Sequence, residues 1–244
     1  MRAKTTRAAR AAAWWLFVAC LPLLLISSAV RIGLNSTRIY EYGFDKYGIS
    51  DVTQLDRTQL SEIAERLIDY FNSKVDTPQM TVVDRDGREF ELFHDYELIH
   101  LEDVKGLFRA GYRIQAATLA YIILYVLLLL LWEKGRGQGL AKGTRLGCMV
   151  TLGVIAAAGI GALFSFERLF IQFHLISFSN PYWMLNPGTD YLIMLFPGGF
   201  WQDVALIGGG IIVGEALLLG GVAWAAPSIY RRHARRRHPM IDGS

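Results

Sequence analysis

Two stretches of this 244-residue chain set histidine among carboxylates at helical spacing. In the first, Glu97, His100 and Asp103 stand three residues apart, so on a helix they share a broad face. A carboxylate beside an imidazole fixes its tautomer and raises its pKa, the setting that a general base or acid needs. Taken alone, the same residues also suit a solvated helix face. In the second stretch, Glu167 and His174 are seven residues apart and return to one face after two turns. Asn180, Trp183, Asn186, Pro187, Thr189 and Asp190 follow, and eleven of the thirty aromatic residues lie between Phe164 and Asp203.

The elements that must carry these residues follow from the charge pattern. Ala11–Val30, Ile114–Trp132 and Leu146–Phe166 contain no Asp, Glu, Lys or Arg, and Val204–Tyr230 contains only Glu215. Each is apolar and long enough to cross a hydrocarbon core as a helix. The net charge of +3 conceals a segregation: residues 1–10, 133–145 and 231–244 together carry +11, whereas residues 33–112 carry −7. Lysine and arginine are retained in the cytoplasm, so both termini and the 133–145 loop are expected inside. The fold class expected is therefore an all-α membrane bundle of four transmembrane helices with a small α+β extracytoplasmic lid. The spans are 11–32, 113–132, 146–166 and 204–230, the lid is 33–112, and an interfacial loop occupies 167–203. The basic cytoplasmic parts are 1–10, 133–145 and 231–244.

Leu169–Thr189 is also free of charge, but a fifth crossing would carry the arginine-rich tail outward. It is read as an outer segment at the interface. Ser27-Ser28-Ala29 resembles a signal-peptide cleavage site, yet three further spans favour an uncleaved anchor. Cys20 and Cys148 fall within spans, which leaves no lid disulfide and no exposed thiol nucleophile.

Within the lid, Leu60, Ile63, Leu67 and Phe71 recur at helical spacing behind Asp56 as cap, with Gln59 three residues on. Met80–Val83 and Arg88–Phe93 read as strands around the turn Asp84–Gly87, and Asp95–Gly111 as a helix leading into the second span. Gly153, Ala157 and Gly161, and Gly210 with Gly214, are expected to let helix backbones approach closely. Glu215 stands about halfway across its span and is expected to be neutral or paired with a neighbouring helix.

His100 and His174 are the two histidines in outer segments with carboxylates at helical spacing. His94 ends a strand, and His233 and His238 belong to the inner tail. No Gly-x-Ser-x-Gly, His-Glu-x-x-His, Cys-x-x-Cys or Walker loop is present, so serine hydrolysis, zinc proteolysis and nucleotide chemistry have no support. Neither a cofactor, a metal nor nucleic acid is expected.

The blocks Glu97-x-x-His100-x-x-Asp103-Val104-Lys105 and Leu169-Phe170-x-x-Phe173-His174 carry a resemblance. So do Asn180, Trp183, Pro187-x-Thr189-Asp190, Leu192-Ile193 and Phe196-Pro197. Together they resemble the bacterial integral membrane family that contains the lipoprotein intramolecular transacylases, over most of the chain. That resemblance implies transfer of the sn-2 acyl chain of a diacylglyceryl lipoprotein to the α-amino group of its N-terminal cysteine. It implies His100 and His174 as the essential pair, with the lipoprotein and membrane lipid as partners, and a bacterial cell membrane with the active site on the outer side.

An aminolysis within one molecule needs no enzyme nucleophile, because amine and ester are already tethered. The expectation is that His174, oriented by Glu167, takes the proton of the amine. His100, with Glu97 or Asp103, protonates the leaving alkoxide or stabilises the oxyanion; the reverse assignment is equally open. Asn180, Trp183, Arg168 and Asp190 are the candidate oxyanion or substrate-binding groups. The main rival is a non-enzymatic envelope protein whose lid binds a lipid or lipoprotein. A metal site made of His100, His174, Glu97 and Asp103 is a second, although it lacks a standard zinc spacing.

Overall fold

A computed structural model describes residues 2–132 and 137–237, with side chains at 7–131 and 138–226. The order is α1 (Arg2–Leu34), α2 (Thr37–Lys46), α3 (Ile49–Thr53), α4 (Arg57–Phe71), β1 (Thr81–Val83) and β2 (Glu89–Glu91). Then come α5 (Asp95–Trp132), α6 (Gly137–Ser177), α7 (Tyr191–Leu195) and α8 (Gly198–Arg237). Helices α1, α5, α6 and α8 are long and apolar enough to cross a membrane. The protein is thus a multi-pass bundle of four spanning helices with a small α+β domain, the class expected from its charge pattern.

The helices outrun the expected spans. The lid helix and second span are one helix from Asp95, the third begins at Gly137 and runs to Ser177, and the fourth begins at Gly198. Residues 137–145 of the expected inner loop and 231–237 of the expected tail are helical; residues 133–136, with Lys134 and Arg136, and 238–244 lie outside the described residues. Charge marks where a helix leaves hydrocarbon. It does not end the helix, because the backbone ladder needs a cap or breaker to stop. Helix α6 does break inside, at Ser165, where φ −167° and ψ 100° are extended values.

Contacts divide the chain into two units. The first comprises Met1–Ser28, Ile114–Ala157 and Gly210–Ser244. Here Phe17, Val18 and Leu21 of α1 pack on Tyr121, Tyr125 and Leu146, with Phe17 stacked on Tyr125 at 4.9 Å. The close approach uses Gly143 and Gly147. A Cβ at Gly143 would stand 3.1 Å from the Phe17 ring, and one at Gly147 would stand 2.9 Å from Leu21 Cβ and 3.1 Å from the Val18 carbonyl. This corrects the expected packing series: a Cβ at Gly153, Gly210 or Gly214 would meet nothing within 4 Å, and one at Gly161 would meet only the Leu169 side chain. Cys20 and Cys148 are free and buried. One carboxylate oxygen of Glu215 is buried without a hydrogen-bond partner among the described residues.

The second unit is Ala29–Arg113 with Ala158–Gly209. Asp56 caps α4 by accepting the Gln59 N–H at 2.8 Å, and Leu60, Ile63, Leu67 and Phe71 are buried on its inner face. Strands β1 and β2 pair antiparallel with Val82 opposite Phe90, closed by a turn in which Gly87 adopts φ +81°. These elements share one core with Leu92, Leu101, Leu195, Phe196 and Phe200. Leu169–Thr189 forms no separate helix: α6 ends at Ser177 and residues 178–189 are irregular.

Helices α2 and α3 had no sequence expectation. Tyr40, Gly43 and Phe44 form the buried face of α2, and Gly43 lies so close to the buried Phe200 ring that a Cβ would meet it at 2.4 Å. Gly43→Ala is therefore expected to destabilise this unit by about 1–3 kcal/mol through overpacking, despite the better helix propensity of alanine. Thermal unfolding of the detergent-solubilised protein measures this, and an unchanged midpoint would contradict the packing argument.

Candidate functional site

Helix α5 starts with a reciprocal cap. The His94 carbonyl accepts the Glu97 N–H at 3.0 Å and the Leu98 N–H at 3.1 Å, while Glu97 Oε2 accepts the His94 N–H at 2.8 Å. One turn further, His100 points into the protein at 6 % exposure. The outer part of α6 carries His174, 7 % exposed. The two imidazole rings face each other with centroids 5.9 Å apart. The two sequence blocks, 70-odd residues apart, are thus brought together.

Aromatic side chains enclose the pair. Phe170 lies 4.3 Å from the His174 ring, Trp183 5.0 Å and Phe178 5.5 Å; Phe178 also meets His100 edge-on at 5.0 Å. His174 Nδ1 lies 2.7 Å from the Phe170 carbonyl oxygen. A carbonyl can only accept, so Nδ1 carries the proton and Nε2 of the neutral ring holds the lone pair. His100 Nδ1 is buried with no hydrogen-bond partner among the described residues. A second tie joins the two blocks, since Asn180 Nδ2 donates to Asp103 Oδ2 at 2.7 Å.

Other expected site residues stand elsewhere. Glu97 is fully buried, but it does not bond His100. Its Oε1 accepts the Leu192 N–H at 2.8 Å and its Oε2 also lies 2.9 Å from His94 Nδ1. Glu167 is exposed and does not orient His174, because the Phe170 carbonyl one turn nearer occupies that nitrogen. Arg168 is exposed as well; its backbone N–H donates to Ser165 Oγ at 3.2 Å, capping the helix beyond the break. Trp183 offers a ring face to His174.

Asp190 is buried and belongs to a second network. It accepts from Tyr96 Oη at 2.7 Å, from Thr189 Oγ1 at 2.6 Å and from the Asn186 N–H at 2.7 Å. Burial pushes its carboxyl up, but the hydrogen bonds from Thr189, Asn186 and Tyr96 outweigh this and hold it below the ordinary range. The rival metal set is not gathered: Glu97 is bonded to Leu192 and His94 and not to His100 or His174, and among the described residues no three His, Cys, Asp or Glu side chains converge.

The sequence pattern assigned no site role to His94, Tyr96, Phe170 or Phe178. The signals were present. His94 and Glu97 have the spacing of a capping pair, and Phe170, His174 and Phe178 lie four apart, on one helical face.

This geometry meets the comparisons with known proteins. No curated relative matches the chain. Three solved structures of the membrane integral lipoprotein intramolecular transacylase Lit from Bacillus cereus share the fold. One is 19% identical with a TM-score of 0.70, covering 93% of this chain and 97% of that one. A form with a histidine-to-arginine mutation is 18% identical with a TM-score of 0.74, covering 95% and 98%. A histidine-to-alanine form is also 18% identical at 0.74, covering 95% and 100%. Residues 15–201 match the family of the lipoprotein intramolecular transacylase Lit, so this chain, with its two facing histidines, belongs to the Lit family and is an acyl-transferring membrane enzyme.

Proposed function

We propose that the enzyme moves the sn-2 acyl chain of a diacylglyceryl lipoprotein to the α-amino group of its N-terminal cysteine, at the His100–His174 pair. The observation that carries this reading is the pair of buried imidazoles, 5.9 Å apart in an aromatic enclosure, where among the described residues neither ring is hydrogen-bonded to a carboxylate. Such a place suits proton transfer within a substrate that already contains both nucleophile and ester.

The spans on this reading are the charge-free stretches, and His100 stands well before Ile114. Burial, with the facing His174 adding to it and Asp103 opposing, pushes the His100 imidazole down to about 4. His100 is therefore neutral at pH 7 and acts as a hydrogen-bond donor rather than a cation. His174 presents Nε2 as the base, held by its Nδ1–H bond to Phe170.

The steps balance on these two residues. The amine nitrogen attacks the sn-2 ester carbonyl, forming the N–C bond, and His174 Nε2 accepts the proton that the nitrogen gives up. The carbonyl oxygen becomes an oxyanion, which an N–H of His100 stabilises. Collapse breaks the bond to the glycerol oxygen, and His174 returns the proton to that oxygen. The products are an N-acyl amide and a free hydroxyl, with the enzyme unchanged. Glu97 and Asp190 hold the helix starts around the pair, and Asn180 fixes Asp103 beside it.

The basic ends and the acidic 33–112 segment support cytoplasmic termini and an outward-facing site in a bacterial cell membrane. Expression in a host lacking acyl transfer to lipoproteins, followed by mass spectrometry of N-terminal lipopeptides, tests the reaction. An N-acyl, S-monoacylglyceryl cysteine is the expected product. Unchanged diacylglyceryl cysteine with a free amine would favour the binding protein instead.

A further inference from the structure

The break in α6 opens a groove of about 540 Å³, lined by Ala162, Leu163, Phe166 and Phe170 together with Glu167 and Gln202. Gly198 of α8 also lines it. The groove straddles the end of the charge-free stretch, with Ala162 to Phe166 inside it and Glu167 and Phe170 beyond. Leu163 and Phe164, at 86% and 88% exposure, belong to the surface that lipid covers. Phe170 is common to both places: it lines the groove and lies 4.3 Å from the His174 ring.

We propose that this groove receives the acyl chain of the substrate ester and that Ala162 and Leu163, at its far end, set the acyl length the enzyme accepts. This rests on the transacylase reading above. An ester held at His174 has its chain starting beside Phe170, and the apolar wall continues through Phe166 to Leu163 and Ala162. Glu167 and Gln202 lie where the span gives way to the headgroup layer and mark the wet edge of the groove.

The test measures kcat/KM of the full-length enzyme in detergent for synthetic diacylglyceryl lipopeptides with sixteen-carbon and eight-carbon sn-2 chains. Each methylene forced out of an apolar site weakens binding by a factor of about four. Ala162→Trp is expected to lower the sixteen- to eight-carbon ratio at least tenfold, and the milder Ala162→Leu roughly threefold. An unchanged ratio in both variants, or equal loss for both lengths, overturns the acyl groove. The unmodified enzyme separates the two claims: if it converts neither substrate, the reaction itself is wrong, whereas conversion with an unmoved ratio sinks only the groove.

Discussion

Replacing His174 with phenylalanine is expected to lower the rate of acyl transfer by about 10²–10⁴-fold, the range that a positioned general base contributes. Phenylalanine keeps an aromatic ring against Phe170, Phe178 and Trp183, whose centroids lie 4.3, 5.5 and 5.0 Å from the imidazole. It removes Nε2 and the Nδ1–H that holds the ring to the Phe170 carbonyl. The thermal midpoint should therefore change little while kcat collapses, a split that packing alone does not produce. Quantifying the lyso-form product by mass spectrometry reads the rate directly. Full conversion by this variant would remove His174 from the chemistry.

His100 supplies the contrast. As a neutral donor it acts by hydrogen bonding, so His100→Gln, which keeps an N–H group, should retain more activity than His174→Phe. Were His100→Gln the weaker enzyme of the two, the base would be His100 and the roles would be exchanged.

The sequence carried the residue types of this site further than their partnerships. His100 and His174 stood out because imidazole among carboxylates at helical spacing is a local pattern, and the charge pattern put both blocks on one side. Their actual neighbours were not local. Glu97 spends itself on the Leu192 N–H, 95 positions away, and a backbone amide has no signature in sequence. Nor could spacing alone say that His174 would bond the Phe170 carbonyl instead of Glu167. The glycines show the same limit. Four-residue spacing says that two small residues share a face, not that the face has a neighbour. Gly143 and Gly147 have that spacing and the close contacts, but part of their segment read as a loop because it is basic.

Glu97→Ala is expected to destabilise the protein by about 3–5 kcal/mol, comparable to breaking a buried charge interaction. This one carboxylate closes two helix starts. Oε2 takes the N–H of His94 at the head of α5, and Oε1 takes the Leu192 N–H in the first turn of α7. First-turn N–H groups have no partner inside their own helix; with alanine the buried Leu192 donor is left unpaired at about 1–3 kcal/mol, and the part-buried His94 donor loses its bond as well. A cavity in place of the fully buried side chain adds to this. Against a total stability of about 5–15 kcal/mol, the loss should appear as a much lower thermal midpoint. Glu97→Gln should recover only part, since its amide nitrogen would face an N–H donor at one of the two starts. Activity should fall with the folded fraction in both variants, because Glu97 touches neither histidine of the reacting pair. A stable Glu97→Ala protein with lost kcat would instead make Glu97 a participant in the chemistry.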